Sequence, residues 1–132
     1  MATKRVTLDL LPQRMAVVRL GPRDDVPDWA EAGVLISVTR TPTELSIVCE
    51  TALVPAAIQA EREFGCLRVR GPLSFGETGI LASLAGPLAR ANVSIFALST
   101  YDTDYLLVHM RALETALACL TEAGHHVHKV SA

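Results

Sequence analysis

The sequence lacks long apolar runs, has few aromatic residues and shows no excess of either charge. No apolar stretch reaches the roughly 18 residues that a membrane-spanning helix needs, so we expect no membrane partner. The net charge of -2 is spread along the chain without a basic patch, which argues against a nucleic-acid partner. The N-terminal stretch does not fit a signal peptide, because Asp9, Pro12 and Arg14 interrupt its apolar positions.

Cysteine is also scarce, with Cys49, Cys66 and Cys119 far apart in the chain. Each lies within an apolar pattern and is therefore expected to be a small core residue rather than part of a disulfide. This usage predicts a reduced, cytoplasmic protein. Half of the 132 residues are hydrophobic, mostly aliphatic, so the chain is long enough for one domain or two small ones.

The first half of the chain predicts strands with little helix. Val6–Leu11 and Met15–Leu20 form two strands or one strand bent at Pro12. A helical turn over 28–31 and a β-hairpin of Val34–Arg40 with Leu45–Glu50 follow. The stretch after Thr51 is ambiguous, with helix-forming composition over 56–64. We place a domain boundary here, which gives domains 1–63 and 64–132.

The second half predicts the order β-α-β-β-α-β, which is typical of ferredoxin-like domains. Thr78 is the expected N-cap of the first helix, and Pro87 should kink or end that helix. Gly124 suits the end of the second helix. The predicted elements are strands 66–70, 93–98, 105–110 and 125–130 and helices 78–91 and 111–123.

Two polar segments of the second half are the candidate binding site. Phe75–Ile80 is a glycine-flanked turn that opens a helix, and it offers backbone N–H groups and the positive end of the helix dipole. Ser99–Asp104 follows the next strand and offers carboxylates and hydroxyls. A strand, turn, helix and returning strand bring two such segments to one end of a sheet. The paired polarities suit a zwitterion such as a free amino acid.

The segments Gly79–Ala89 and Val93–Val108 resemble the small tandem ACT-domain proteins of bacteria. They are also similar to one half of the cytosolic arginine sensors of the CASTOR type, and more remotely to the regulatory ACT domains of aspartate kinases. Ser37–Val48 fits the first domain of those proteins. The run Ser99–Tyr105 is the specific part of this resemblance.

The resemblance implies an α+β fold of two ferredoxin-like (βαββαβ, ACT-type) domains, whose antiparallel sheets pack side by side. The element order of the first half predicts that the first domain is a degenerate copy of this unit. It further implies a regulatory, non-catalytic module without a cofactor, which binds a free amino acid at an ACT-domain interface and forms a homodimer. The binding residues that it implies are Gly76, Glu77, Thr78, Gly79, Ile80, Ser99, Thr100, Asp102, Thr103 and Asp104.

Other interpretations of these residues remain open at this stage. The glycines and aspartates could serve only the local turns, and the chain could be a protein-interaction module without a ligand. His126 and His128 share one strand face, but two ligands are too few for a closed zinc site, so we expect no metal. No nucleophile–base arrangement or phosphate loop is visible, which leaves no candidate catalytic residue.

Overall fold

The computed structural model describes residues 4–73 and 78–131. Its strands are β1 (Thr7–Leu20), β2 (Ser37–Arg40), β3 (Leu45–Glu50), β4 (Ala60–Val69), β5 (Phe96–Ser99), β6 (Asp104–His109) and β7 (His126–Lys129). Its helices are α1 (Ile80–Arg90) and α2 (Leu113–Glu122), and three-residue 3-10 turns occur at Asp28–Ala30, Thr51–Leu53 and Met110–Ala112. Within the described ranges, no helix has the length and apolar character to cross a membrane.

The larger of two compact units runs from Gly65 onward and includes the stretch up to Pro12. Its elements β4-α1-β5-β6-α2-β7 confirm the predicted ferredoxin-like order. Alternate residues of the strands point to one face and form a core with both helices, so that Leu67, Leu106, Leu84 and Leu120 are all fully buried. This pattern places both helices on the same face of the strands.

The start of β1 adds a strand that the sequence did not predict in this unit. Thr7–Leu10 pairs in parallel with His126–Lys129, and β1 lies between β7 and β4 in the strand order. The residues before Gln13 therefore belong to the larger unit, whereas we expected them in the N-terminal domain. The chain leaves that unit within β1, which is one strand despite Pro12, and returns to it at Gly65.

The smaller unit, Gln13–Phe64, is a reduced version of the same plan. Its strands follow the order β2-β3-β1-β4, and the predicted hairpin of β2 and β3 is confirmed. Three-residue 3-10 turns stand where the ferredoxin-like order has its two helices. The first turn buries Ala30 and packs Trp29 against the core of Val18, Leu45 and Ile47. The prediction of a degenerate first domain is thus confirmed.

The stretch over 56–64, whose helix-forming composition left its structure ambiguous, is not a helix, because β4 already begins at Ala60. The guanidinium of Arg62 donates hydrogen bonds to the carbonyls of Val54, Pro55 and Ile58, at 3.2, 2.9 and 2.9 Å. These bonds give the carbonyl groups of the loop before β4 a hydrogen-bond partner that lies outside the loop. The chain then continues as a strand. Local helix propensity is a weak preference that such tertiary contacts override.

Of the two expected effects of Pro87, a kink or an end of α1, the end does not occur, since the helix continues to Arg90. Proline has no N–H to donate to the carbonyl of Ser83, four residues earlier. That carbonyl lies 2.9 Å from Nε2 of the buried His125. Nδ1 of the same ring accepts from the backbone N–H of Val6 at 3.2 Å, so Nε2 carries the hydrogen and donates. A histidine from outside the helix thus replaces the bond that proline removes.

Candidate functional site

The start of α1 depends on Gly79 rather than on Thr78. Gly79 is the N-cap residue and adopts a left-handed conformation with φ of 81°, and among the described residues no side chain caps the helix. The prediction that Thr78 is the N-cap is therefore wrong. An added Cβ at Gly79 would meet nothing within 4 Å, so conformation and not space requires glycine there. Gly76 and Glu77 lie outside the described residues.

The polar loop, Ser99–Asp104, is held by hydrogen bonds between its own residues. The Ser99 hydroxyl donates to Oδ1 of Asp104 at 2.6 Å. The N–H of Thr100 donates to the carbonyl of Thr103 at 2.8 Å, and the N–H of Thr103 donates back to Oγ1 of Thr100 at 3.2 Å. The loop therefore has a fixed shape, and one oxygen of the Asp104 carboxylate is oriented by a neighbour.

Two hydrogen bonds attach the polar loop to the segment that leads from β4 toward α1. The N–H of Leu73 donates to the carbonyl of Asp102 at 2.8 Å. The Thr103 hydroxyl donates to the carbonyl of Val69 at 2.6 Å. A Cβ on Gly71 would lie 3.2 Å from the Asp102 carbonyl oxygen, so the two backbones approach closely. The chain that leads to the helix-opening turn thus lies against the polar loop at Leu73 and Val69.

The predicted binding residues differ in what they present to solvent. Ile80 and Thr103 are buried, and the Thr103 hydroxyl is already bonded, so the side chains of both serve the fold. Asp104 is half-buried. The remaining described members of the set are exposed: Thr78, Gly79, Ser99, Thr100 and Asp102. The accessible groups are therefore one helix start, three hydroxyls and two carboxylates.

A second feature of the larger unit, which we call the basic cleft, was not predicted from the sequence. It lies between the start of β1 and the start of α1, has a volume of about 440 Å³, and contains three cationic residues, Lys4, Arg5 and Arg70. Leu73 and Ile80 also line it. Its only signal in the sequence was weak: alternation along β4 places Arg68 and Arg70 on the same strand face.

The guanidinium group of Arg70 is held in place by the carboxylate of Asp9, which is buried within the apolar start of β1. Nη2 of Arg70 donates to Oδ1 of Asp9 at 2.6 Å, and Nη2 of Arg68 lies 3.3 Å from Oδ2. The hydrogen bond from Arg70 lowers the pKa of Asp9 below its ordinary value of 3.8, against the opposing effect of burial. Two guanidinium groups share one carboxylate, so the cluster keeps a net positive charge.

Cysteine side chains can act as metal ligands or nucleophiles, but the three cysteines of this chain contribute to its core. Cys49 and Cys66 are buried, Cys119 is half-buried, and all three are free thiols. Burial raises the pKa of Cys66 to about 12, which makes it unsuited to nucleophilic chemistry at neutral pH. Among the residues that the structure describes, no three histidine, cysteine or acidic side chains are grouped to hold a metal ion.

Comparisons with known proteins match two family models. A model described as an ACT domain matches residues 59–122. A second model, described as an N-terminal domain, matches residues 13–57. The two matches correspond closely to the part of the larger unit from β4 to α2 and to the smaller unit.

Three related proteins illustrate the range of similarity. The protein Atu0741 from Agrobacterium tumefaciens is 35% identical, with a TM-score of 0.93 over 98% of this chain and 97% of that chain. The cytosolic arginine sensor for mTORC1 subunit 1 of Homo sapiens is 49% identical over 43 residues, which are 32% of this chain and only 13% of the sensor. The regulatory subunit of aspartate kinase from Thermus flavus shares the fold, with a TM-score of 0.59, 14% identity and coverage of 93% and 99% of the two chains.

Proposed function

Because this chain belongs to the ACT-domain family, we propose that it is a non-catalytic regulatory module that binds a free amino acid at an ACT-domain interface. Two of the proteins that it resembles are named as a sensor and as a regulatory subunit, and neither of these two names describes a catalytic part. The cytosolic location in the sensor's name supports a cytoplasmic role for this chain as well.

The observation that carries this proposal is the hydrogen bond between Leu73 and Asp102. It holds the polar loop against the segment that leads to α1. The first N–H groups of a helix have no acceptor within the helix, so those at Gly79 and Ile80 suit the ligand carboxylate. The carboxylates of Asp102 and Asp104 suit its ammonium group, through charge-assisted hydrogen bonds.

Arginine is the first amino acid to test. The relatives named as arginine sensors share 49% identity with this chain over 43 residues. A guanidinium group binds carboxylates with two parallel hydrogen bonds, and this chain offers two aspartates on one loop. Other amino acids with a cationic or neutral side chain are the necessary comparison, because the α-ammonium group alone could account for the same contacts.

A second copy of the chain would complete the site. In the strand order, β5 is the terminal strand, and the polar loop directly follows it. An edge strand offers unpaired backbone groups that a second chain can extend. In the resulting homodimer, the ligand would lie at an interface and shift the packing of the two copies through its different affinity for two arrangements.

A thermal-shift screen of the twenty amino acids tests the proposal. A ligand at about 100 times its Kd should add about 2.7 kcal/mol to the free energy of unfolding. Asp104→Asn and Asp102→Asn should each reduce the shift, because asparagine keeps the shape and removes the charge. Asp25→Asn is the matched control, since Asp25 is an exposed aspartate of the smaller unit.

Two results would refute the proposal. One is the absence of a shift with any amino acid at millimolar concentration, which would instead favour a protein-interaction module without a ligand. The other is a shift that both variants of the polar loop retain in full. Sedimentation with and without the active amino acid then measures whether the ligand changes the assembly state.

A further inference from the structure

We propose that the basic cleft is a second binding site, which takes an anionic group of a small molecule, either a phosphate or a pair of carboxylates. This site goes beyond the amino-acid site above. It lies on the side of the α1 start where β1 begins, whereas the polar loop contacts the chain before α1 through Leu73 and Val69.

The charge of the lining supports an anionic ligand. Lys4, Arg5 and Arg70 all line the cleft, and no acidic side chain is among its lining residues in the described part of the chain. The nearby carboxylate of Asp9 is shared between Arg70 and Arg68, so it does not neutralise the cluster. Cations gathered in a concave surface raise the local concentration of anions and bind them more strongly than scattered ones.

Arg70 keeps hydrogen-bonding capacity for a ligand. Its Nε and Nη2 donate to the Asp9 carboxylate at 3.4 and 2.6 Å, which accounts for two of its five N–H donors. Its side chain is 53% exposed. The carboxylate thus fixes the guanidinium plane while other donors remain directed away from it. A braced arginine loses less conformational entropy on binding an anion than a mobile one does.

The walls of the cleft are also held in place. The N–H of Val6 donates to the buried His125, and the carbonyl of Thr7 accepts from the N–H of Arg70 at 2.8 Å. Arg5 lies across Gly124, where an added Cβ would be 2.9 Å from Nε of Arg5. Gly124 has a positive φ of 98°, so glycine provides both the turn and the space for the arginine.

The size and the apolar part of the lining indicate a small molecule rather than a bare ion. The volume of about 440 Å³ falls within the range of roughly 300–1,000 Å³ that is typical of small-molecule pockets. Val6, Leu73 and Ile80 supply apolar surface beside the cations. A ligand with an anionic group and a short apolar body would use both parts.

Isothermal titration calorimetry with inorganic phosphate and, separately, with malonate tests this site, at an ionic strength held constant with sodium chloride. We expect saturable binding of at least one probe. Arg5→Gln and Lys4→Gln should each weaken it by about tenfold, because each removes one charge-assisted contact. Arg111→Gln is the matched control, since Arg111 is exposed, belongs to the same unit and does not line the cleft. The comparison of phosphate with malonate identifies the preferred chemistry.

Three results would overturn the inference: no binding of either probe, equal loss in the control variant, or no loss in either cleft variant. A further variant tests whether this site is separate from the amino-acid site. Asp104→Asn should leave phosphate or malonate binding unchanged, whatever the amino-acid screen shows. Loss of anion binding in that variant would mean that there is one site and not two.

Discussion

Replacing the buried His125 with leucine should destabilise the protein by about 2–6 kcal/mol, because two backbone groups would lose their partner and each costs about 1–3 kcal/mol when left unsatisfied. The groups are the carbonyl of Ser83 and the N–H of Val6, which lie 2.9 and 3.2 Å from the two ring nitrogens. The Ser83 carbonyl depends on the histidine only because Pro87 has no N–H to donate to it.

This dependence predicts a specific non-additivity between two residues that are distant in sequence. In Pro87→Ala, the restored N–H can donate to the Ser83 carbonyl within the helix. The carbonyl then keeps a partner when His125 is removed, and only the Val6 N–H is left unsatisfied. His125→Leu should therefore cost about 1–3 kcal/mol less in the Pro87→Ala background than in the natural sequence.

Urea unfolding of the four proteins in this double-mutant cycle measures the coupling free energy directly. The helix-propensity gain of Pro87→Ala appears on both sides of the cycle and cancels. His126→Leu is the control, since His126 is an exposed histidine next along β7 and should shift stability by less than about 0.5 kcal/mol. Additivity of the two substitutions within about 0.5 kcal/mol would refute the proposed replacement of the proline bond by histidine.

Two further predictions concern the carboxyl group of Asp9 and the thiols of the three cysteines. Because Arg70 lowers the Asp9 pKa below 3.8, the stability that Asp9 contributes should be complete above that value and lost as the pH falls through the lower folded value. The difference in unfolding free energy between the natural protein and Asp9→Asn, measured from about pH 7 to about pH 2.5, should therefore shrink below about pH 3.8, and a constant difference would contradict this reasoning. In a thiol titration near neutral pH, Cys119 should react first, whereas Cys66 and Cys49 should react only after denaturation, since both are buried and burial raises the pKa of each; rapid labelling of Cys66 in the native protein would show that the core opens.

Most individual elements were predictable because their signals are local. The β2–β3 hairpin follows from two β-rich runs around a proline-containing turn, and its register pairs Val38 with Ile47. The end of α2 follows from Gly124, which adopts the positive φ that favours glycine. Two short apolar runs predicted the strand structure of β1, but they left open whether Pro12 divides it.

Apart from the N-cap of α1, the features that the sequence did not predict depend on contacts between distant parts of the chain. Helix propensity cannot show that Arg62 will satisfy three carbonyls of the preceding loop. Proline statistics cannot show that His125 will reach the Ser83 carbonyl. The parallel pairing of β1 with β7 joins opposite ends of the sequence, and no local pattern specifies such a partner.

The two candidate sites also differ in whether local sequence signals could predict them. The convergence of the polar loop with the chain before α1 follows from element order, because successive turns of a β-α-β unit alternate between the two ends of the sheet. The basic cleft does not follow from it, since Lys4 and Arg5 reach α1 only through the added strand β1. The N-terminal residues of the chain thereby become part of a pocket in the C-terminal ACT domain.

The difference between the two units limits where the proposed amino acid can bind. The smaller unit keeps the ferredoxin-like strand order, but its 3-10 turns have three residues each. Such turns have no extended dipole and too few aligned N–H groups to hold a carboxylate. α1 has eleven residues and an uncapped start at Gly79. If the chain binds an amino acid at the start of α1, beside the polar loop, each copy offers one such site, and the expected stoichiometry is one ligand per chain. Calorimetry with the amino acid found in the screen measures this number, and a value of two per chain would require a second mode of carboxylate binding.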